Sequence, residues 1–198
     1  MSSETIDYYN RYAVEYARET TNLDMAALYA AFLPMVAPGG YILDAGCGSG
    51  RDAAYFKQLG FAVSAFDASK ELARIASQRL MQTVNVRNFE QLNEHEQYDG
   101  IWCCASLLHV SSDTLPSVFC RLQRALKPGA VLYASFKYGD SEREVNGRRF
   151  TDLNEVQLAD VLTNTAGLTL IKTWLTQDQR KERSHETWLN ALISKDTE

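Results

Sequence analysis

The chain has 198 residues, 45% hydrophobic and 11% aromatic, with 20 Lys and Arg against 25 Asp and Glu for a net charge of -5. Those proportions describe one globular domain long enough to bury a core, and the acidic balance opposes the counterion release on which nucleic-acid binding relies. Four cysteines without C-x-x-C spacing and three scattered histidines signal no disulfide framework and no metal site. No apolar run approaches the about 20 residues of a membrane helix, so a cytoplasmic chain without membrane contact is expected.

In chain order, Tyr8, Tyr12 and Tyr16 recur every fourth residue, and Leu28, Phe32 and Leu33 follow at helical spacing, so residues 5 to 36 read as two helices ended by Pro34 and Pro38-Gly39-Gly40. From residue 41, short apolar runs alternate with longer amphipathic ones, the pattern of βαβ units and a parallel sheet. YILDA is the first strand, RDAAYFKQL a helix stopped by Gly60, and FAVSAFD the second strand. SKELARIASQRLMQ is a helix with Ser69 as N-cap, VNVRNF the third strand and YDGIWCCAS a buried fourth. Residues 113 to 127 form a helix, AVLYASFKY the fifth strand, and GDSEREVNGRRFTDL a long polar loop of the functional kind. NEVQLADVLTNTAG is a helix, LTLIKTWLT a strand, and HETWLNALISK a last strand at or near an edge.

Three of the 11 glycines, Gly46, Gly48 and Gly50, fall at alternate positions in YILDAGCGSGRD, between a strand and a helix. Such a turn lets a ligand approach the main chain at the carboxyl ends of the strands. Asp44 stands two residues ahead of the first glycine, and Asp67 closes the second strand 17 residues beyond the third, where a carboxylate can accept both hydroxyls of a ribose. G-x-G-x-G is not the G-x-G-x-x-G of dinucleotide folds, which disfavours an NAD-dependent oxidoreductase.

LDAGCGSGRD followed by AFDAS resembles motifs I and II of the class I S-adenosylmethionine (SAM)-dependent methyltransferases, in particular small bacterial members, over about residues 40 to 175. The resemblance implies an α/β, Rossmann-like, doubly wound seven-stranded sheet of order 3-2-1-4-5-7-6 with strand seven antiparallel, and SAM, or its product S-adenosylhomocysteine (SAH), across the ends of strands one to four. On that pattern the chain is one domain, with residues 1–38 a helical lid and 39–198 the SAM-binding core. Gly46, Cys47 and Gly48 then line the methionine side, Asp44 counts with them as a cofactor-binding residue, Asp67 holds the ribose, and Ala68 and Ser69 border the adenine. Asn88 and Phe89 stand against its ring, although many family members carry an acidic residue there and Glu90 competes for the role. Ala105 and Ser106 end strand four. Arg51 either reaches the cofactor carboxylate or forms a surface ion pair with Asp52.

Of the tyrosine stripe, Tyr12 is the residue expected to reach the ligand, unless the stripe simply packs on the core. His109, after strand four, has the titration range of a general base, against the plainer reading of a satisfied structural histidine. Lys137 and Tyr138 share that status. Arg148, Arg149, Arg180, Lys181 and Arg183 either collect an anionic substrate or are solvated loop charges. Cys103 and Cys104 read as small hydrophobes, and Trp174 and Trp188 as core or edge-strand anchors. The function expected is methyl transfer to a small-molecule acceptor. A tRNA or protein methyltransferase and a non-catalytic SAM-binding module are the rivals.

Overall fold

In the computed structural model, which describes residues 1–197 with the side chain of Lys181 outside the description, a seven-stranded sheet carries helices on both faces. Its strands are β1 (Tyr41–Ala45), β2 (Ala62–Asp67), β3 (Asn85–Val86), β4 (Tyr98–Cys103), β5 (Leu126–Lys137), β8 (Leu168–Gln177) and β9 (Thr187–Lys195). They lie in the order β3-β2-β1-β4-β5-β9-β8. The first five pair in parallel, and β9 runs antiparallel to both β5 and β8. This is the implied order 3-2-1-4-5-7-6, with a hairpin interposed in the numbering. The last strand therefore lies inside the sheet, and β8 forms the edge.

Side chains alternate faces along each strand, and the two cores follow that period. Leu43, Ile101, Cys103 and Leu132 point to one core, which α6 (Leu115–Ala125) and α7 (Glu155–Thr163) cover. Ile42, Trp102, Val131 and Tyr133 point to the other, beneath α3 (Ala26–Phe32) and α4 (Arg51–Gln58). The alanines of α5 (Lys70–Leu80) let that helix close against α4 and β2. Ser69 caps α5 as expected, its Oγ accepting the Leu72 N–H at 3.2 Å.

Two segments differ from the sequence reading. The N-terminal region, expected as two helices, forms α1 (Ser3–Arg11), α2 (Ala13–Thr20) and α3. The break falls at Tyr12, whose φ of -107° and ψ of 20° leave the helical region. The polar stretch expected as a loop is a hairpin, β6 (Glu142–Val145) and β7 (Arg148–Thr151). Its turn residues Asn146 and Gly147 have φ of 53° and 74°, the left-handed pair that a tight hairpin requires. The hairpin is latched over the carboxyl ends of the strands: Thr151 Oγ1 donates to Val110 O at 2.6 Å, and the Arg149 N–H donates to Thr5 Oγ1 of α1 at 3.0 Å. No helix among the described residues is long and apolar enough to cross a membrane.

Candidate functional site

The order of the sheet reverses at β1, which leaves a crevice beyond the ends of β1, β2 and β4. The glycine turn forms its floor. The N–H groups of Gly46 and Cys47 both donate to Phe66 O at 2.9 Å, folding the chain back across β2. Gly46 has φ of 75°, and a Cβ there would lie 2.5 Å from Ser106 Cβ. At Gly48, φ is 55° and a Cβ would stand 3.2 Å from the Tyr16 ring, so only glycine leaves this surface open. Asp44, buried behind the turn, accepts the Ala53 N–H at 3.1 Å and so pins the first turn of α4.

A cavity of about 30 Å³ opens above this turn. Asp67 faces it with one carboxylate oxygen on the Gly48 N–H and the other on the Ser69 N–H, both at 2.8 Å. Burial pushes its carboxyl up to about 6, against the pull of those N–H groups. Ala68, Ser69, Asn88, Phe89, Ala105 and Ser106 are also part of the lining. Asn88 Oδ1 is buried there without a hydrogen-bond partner, an acceptor that the fold leaves unused. Ser106 Oγ donates to Ala45 O at 2.7 Å, tying the end of β4 to that of β1.

A second cavity of about 170 Å³ adjoins the first, and Tyr9, Tyr16, Ala105 and His109 line both. Its outer walls come from α2, β5, β7, β9 and the segment after β8. In the shared wall His109 is 3% exposed. Its Nδ1 faces Arg149 O at 2.6 Å, so that nitrogen carries the proton, and Nε2 accepts the Tyr9 hydroxyl at 2.8 Å. Burial, reinforced by the nearby Arg148 charge, lowers His109 to about 4 despite the Arg149 carbonyl. The imidazole is therefore neutral at pH 7 and a weak base, which corrects the expectation built on its ordinary titration range.

Arg51 lines the larger cavity and lies in a buried network rather than in a surface ion pair. Its Nε and Nη2 reach Asp52 at 2.6 and 2.9 Å, and Nη1 donates to Thr20 O at 3.1 Å. Asp52 also accepts from Tyr29 Oη at 2.5 Å and Trp102 Nε1 at 2.9 Å. Burial would raise this carboxyl, but Arg51 and the other donors outweigh it and hold it low. At the far end, Lys137 contacts Glu186 and lies 3.8 Å from Asp178, with its ammonium 4.6 Å from the centre of the Trp188 ring.

A methyltransferase-domain family model matches residues 42–129, from the glycine turn into β5. Residues 42–129 thus match a methyltransferase domain. Among curated relatives, malonyl-[acyl-carrier protein] O-methyltransferase of Serratia marcescens is 28% identical over 134 residues, 62% of this chain and 52% of that protein. A ubiquinone biosynthesis O-methyltransferase of Xanthomonas oryzae pv. oryzae is 30% identical over 104 residues, 49% of this chain and 43% of that one. The chain thus spans about half the length of the curated relatives it matches. Among solved structures, 1,6-didemethyltoxoflavin-N1-methyltransferase of Burkholderia thailandensis, with 1,6-didemethyltoxoflavin and SAH bound, superposes with a TM-score of 0.78 at 23% identity, over 98% of this chain and 86% of that one. Magnesium protoporphyrin IX methyltransferase of Synechocystis PCC 6803, with SAM bound, superposes with a TM-score of 0.76 at 17% identity, over 99% and 98%.

In this methyltransferase domain most of the motif residues named from sequence converge on the smaller cavity: Gly46, Gly48, Asp67, Ala68, Ser69, Asn88, Phe89, Ala105 and Ser106 all line it. Asp44 and Cys47 do not. Asp44 lies behind the turn, and the Cys47 thiol, which burial pushes well up, is a packing group beside the α4–α5 core. Tyr12 lines neither cavity; it is 38% exposed at the break between α1 and α2. Tyr9 and Tyr16 take that place, with rings 5.3 Å apart. They meet across the break at Tyr12, which the four-residue stripe did not announce. Of the basic residues, Lys137, Arg148, Arg180 and Arg183 face the larger cavity, whereas Arg149 turns toward Glu142 and Glu144. The side chain of Lys181 lies outside the described residues. Tyr138 is exposed, and Trp188 lines the larger cavity as well as the sheet.

Proposed function

We propose that this chain transfers a methyl group from SAM to a small-molecule acceptor, with SAM in the smaller cavity and the acceptor in the larger. The observation that carries the reading is the shared wall of Tyr9, Tyr16, Ala105 and His109, where the contents of the two cavities would meet. The residues present fit the cofactor. Asp67 offers a carboxylate to ribose hydroxyls, Asn88 Oδ1 is an unused acceptor beside the Phe89 ring, and the glycine turn is bare where a Cβ would collide.

SAM supplies a methyl group on a sulfonium, whose charge drives the displacement. What remains for the chain is to align the acceptor and exclude water. Tyr9 and Tyr16 do the excluding, as half-buried aromatic walls from the N-terminal helices. His109 orients the Tyr9 hydroxyl: with Nδ1–H held by Arg149 O, its Nε2 can only accept, and the Tyr9 proton points at it. The phenol oxygen, which Arg148 also approaches, lies in the wall common to both cavities and can accept a hydrogen bond from an acceptor hydroxyl or amine. A weak imidazole at this point suits a nucleophile that needs positioning more than deprotonation.

Titration calorimetry tests the reading directly. SAM and SAH should each bind with micromolar affinity or better, and SAH should accumulate when an acceptor is supplied. Absence of binding by both removes the proposal, and tight binding without turnover on any acceptor would favour a non-catalytic SAM-binding module.

A further inference from the structure

The larger cavity carries positive charge that the fold does not neutralise. Most of its cations have partners: Arg51 has Asp52, Arg180 has Asp178 at 2.6 Å, and Lys137 has Glu186. Arg148 has none. It is 7% exposed, its Nε is buried without a hydrogen-bond partner, and no ion pair among the described residues includes it. Its guanidinium carbon stands 4.2 Å from the centre of the Tyr8 ring and 5.1 Å from that of Phe150. These rings hold the fork flat and offset part of its desolvation, yet they offer its buried Nε–H no acceptor. Arg183 lines the same cavity, again without a carboxylate partner among the described residues.

A solvated loop charge would not be buried, and a structural one would be paired. A planar donor fork that lines a cavity, has no carboxylate partner among the described residues and keeps a buried Nε–H without an acceptor matches a carboxylate or phosphate, which guanidinium binds through two parallel bonds. Arg148 also acts close to the shared wall, because its charge is felt by both Tyr9 and His109. The chain as a whole has a net charge of -5, which favours a small anion at this cavity over a polyanionic surface.

We propose that the acceptor is an acid whose oxyanion, a carboxylate or a phosphate, docks on the Arg148 guanidinium between the Tyr8 and Phe150 rings, with Arg183 adding charge to the same cavity. Naming that anion as part of the methyl acceptor rests on the methyl-transfer reading; the anion site itself does not. Benzoate, phenyl phosphate and neutral benzamide serve as probes, titrated by calorimetry or ligand-observed NMR into the full chain with and without saturating SAH. Benzoate or phenyl phosphate should bind at least about tenfold more tightly than benzamide, and the advantage should shrink as salt is added. The tighter of the two identifies the oxyanion. Arg148→Gln should remove about tenfold of the anion affinity while SAH affinity, read on the same sample, shows an intact fold; Arg148→Lys should fall between.

Equal affinity for benzamide and both anions overturns the proposal, as does the failure of all three probes to bind at millimolar concentration. So does an Arg148→Gln protein that binds SAH and keeps its anion affinity within about twofold. If Arg148→Gln does not fold, the wild-type comparison and Arg148→Lys decide. Loss of SAH binding by the wild type would instead strike the methyl-transfer reading, and the probes would still judge the anion site.

Discussion

The smaller cavity is framed by neighbouring strand–helix turns, with the glycines of one junction facing the carboxylate and Ser69 of the next. The larger one gathers residues from distant parts of the chain, from α2 toward one end to β9 toward the other. A site framed by local turns requires little of the sequence except glycine where a Cβ would intrude and an acid where hydroxyls must be received. A site gathered from distant residues can change its chemistry one residue at a time while the sheet stays the same. The first kind therefore binds the part of a reaction that relatives share, and the second the part that differs among them.

The larger cavity depends on buried support, and the largest expected effect tests that dependence. Asp52→Ala leaves Arg51 buried without its anion and Tyr29 and Trp102 without their acceptor. A loss of about 3–5 kcal/mol of folding stability is expected in chemical denaturation. A loss below about 1 kcal/mol would show that the network is a passenger. At the glycine turn, Gly46→Ala combines a φ of 75° with a Cβ 2.5 Å from Ser106. Strain of roughly 1–3 kcal/mol is expected, and SAH affinity should drop about a hundredfold because the intruding methyl and the displaced Ser106 both face the cavity. Unchanged affinity would mean that the close approach to main chain is not how the cofactor is held.

Asp67→Ala should weaken SAH by well over tenfold, since a charged acceptor is removed from two donors. The same carboxylate provides a finer test by pH. With its pKa raised to about 6, Asp67 in the empty protein is ionised at pH 7 and mostly protonated at pH 5. Ribose hydroxyls prefer the ionised form, so affinity falls as the pH drops, by about tenfold across that interval. Asp67→Asn should flatten the profile; a profile that stays equally steep would assign the dependence to another group.

How much of each cavity could be read from sequence follows from the same contrast. The glycine turn and Asp67 sit at fixed local spacings, and βαβ alternation fixes which strand ends lie together, so the part of the smaller cavity that runs from Gly46 through Asp67 to Ser106 was legible, while Met1, Ile6, Leu72 and Arg87, which also line it, carried no such signal. The larger cavity required contacts that no spacing encodes. Arg148 reaches it because the hairpin folds back over the sheet, and the signal for that hairpin, Asn146-Gly147 flanked by short runs, was present but sat inside a stretch read as loop. His109 was placed correctly, but its neutrality arises from burial beneath α1 and β7, a tertiary effect that its sequence neighbours do not announce.

Tyr12 is the smallest expected effect and the sharpest test of how the two cavities are roofed. A continuous helix over residues 3–20 would carry Tyr8, Tyr12 and Tyr16 down one side. The break at Tyr12 restarts the ladder at Ala13 instead, and the buried positions become Thr5, Ala13, Ala17 and Thr20, small residues that bring Tyr9 and Tyr16 down onto the shared wall. Tyr12 is left over Tyr8, ring centres 4.8 Å apart, facing solvent. Tyr12→Ala should shift SAH affinity by less than about twofold, whereas Tyr16→Ala, which opens the roof over Gly48, should cost about tenfold in calorimetry. If the order were reversed, the N-terminal helices would have to close differently over a bound cofactor, with Tyr12 turning inward. Tyr9 and Tyr16 would then no longer define the boundary between the cavities.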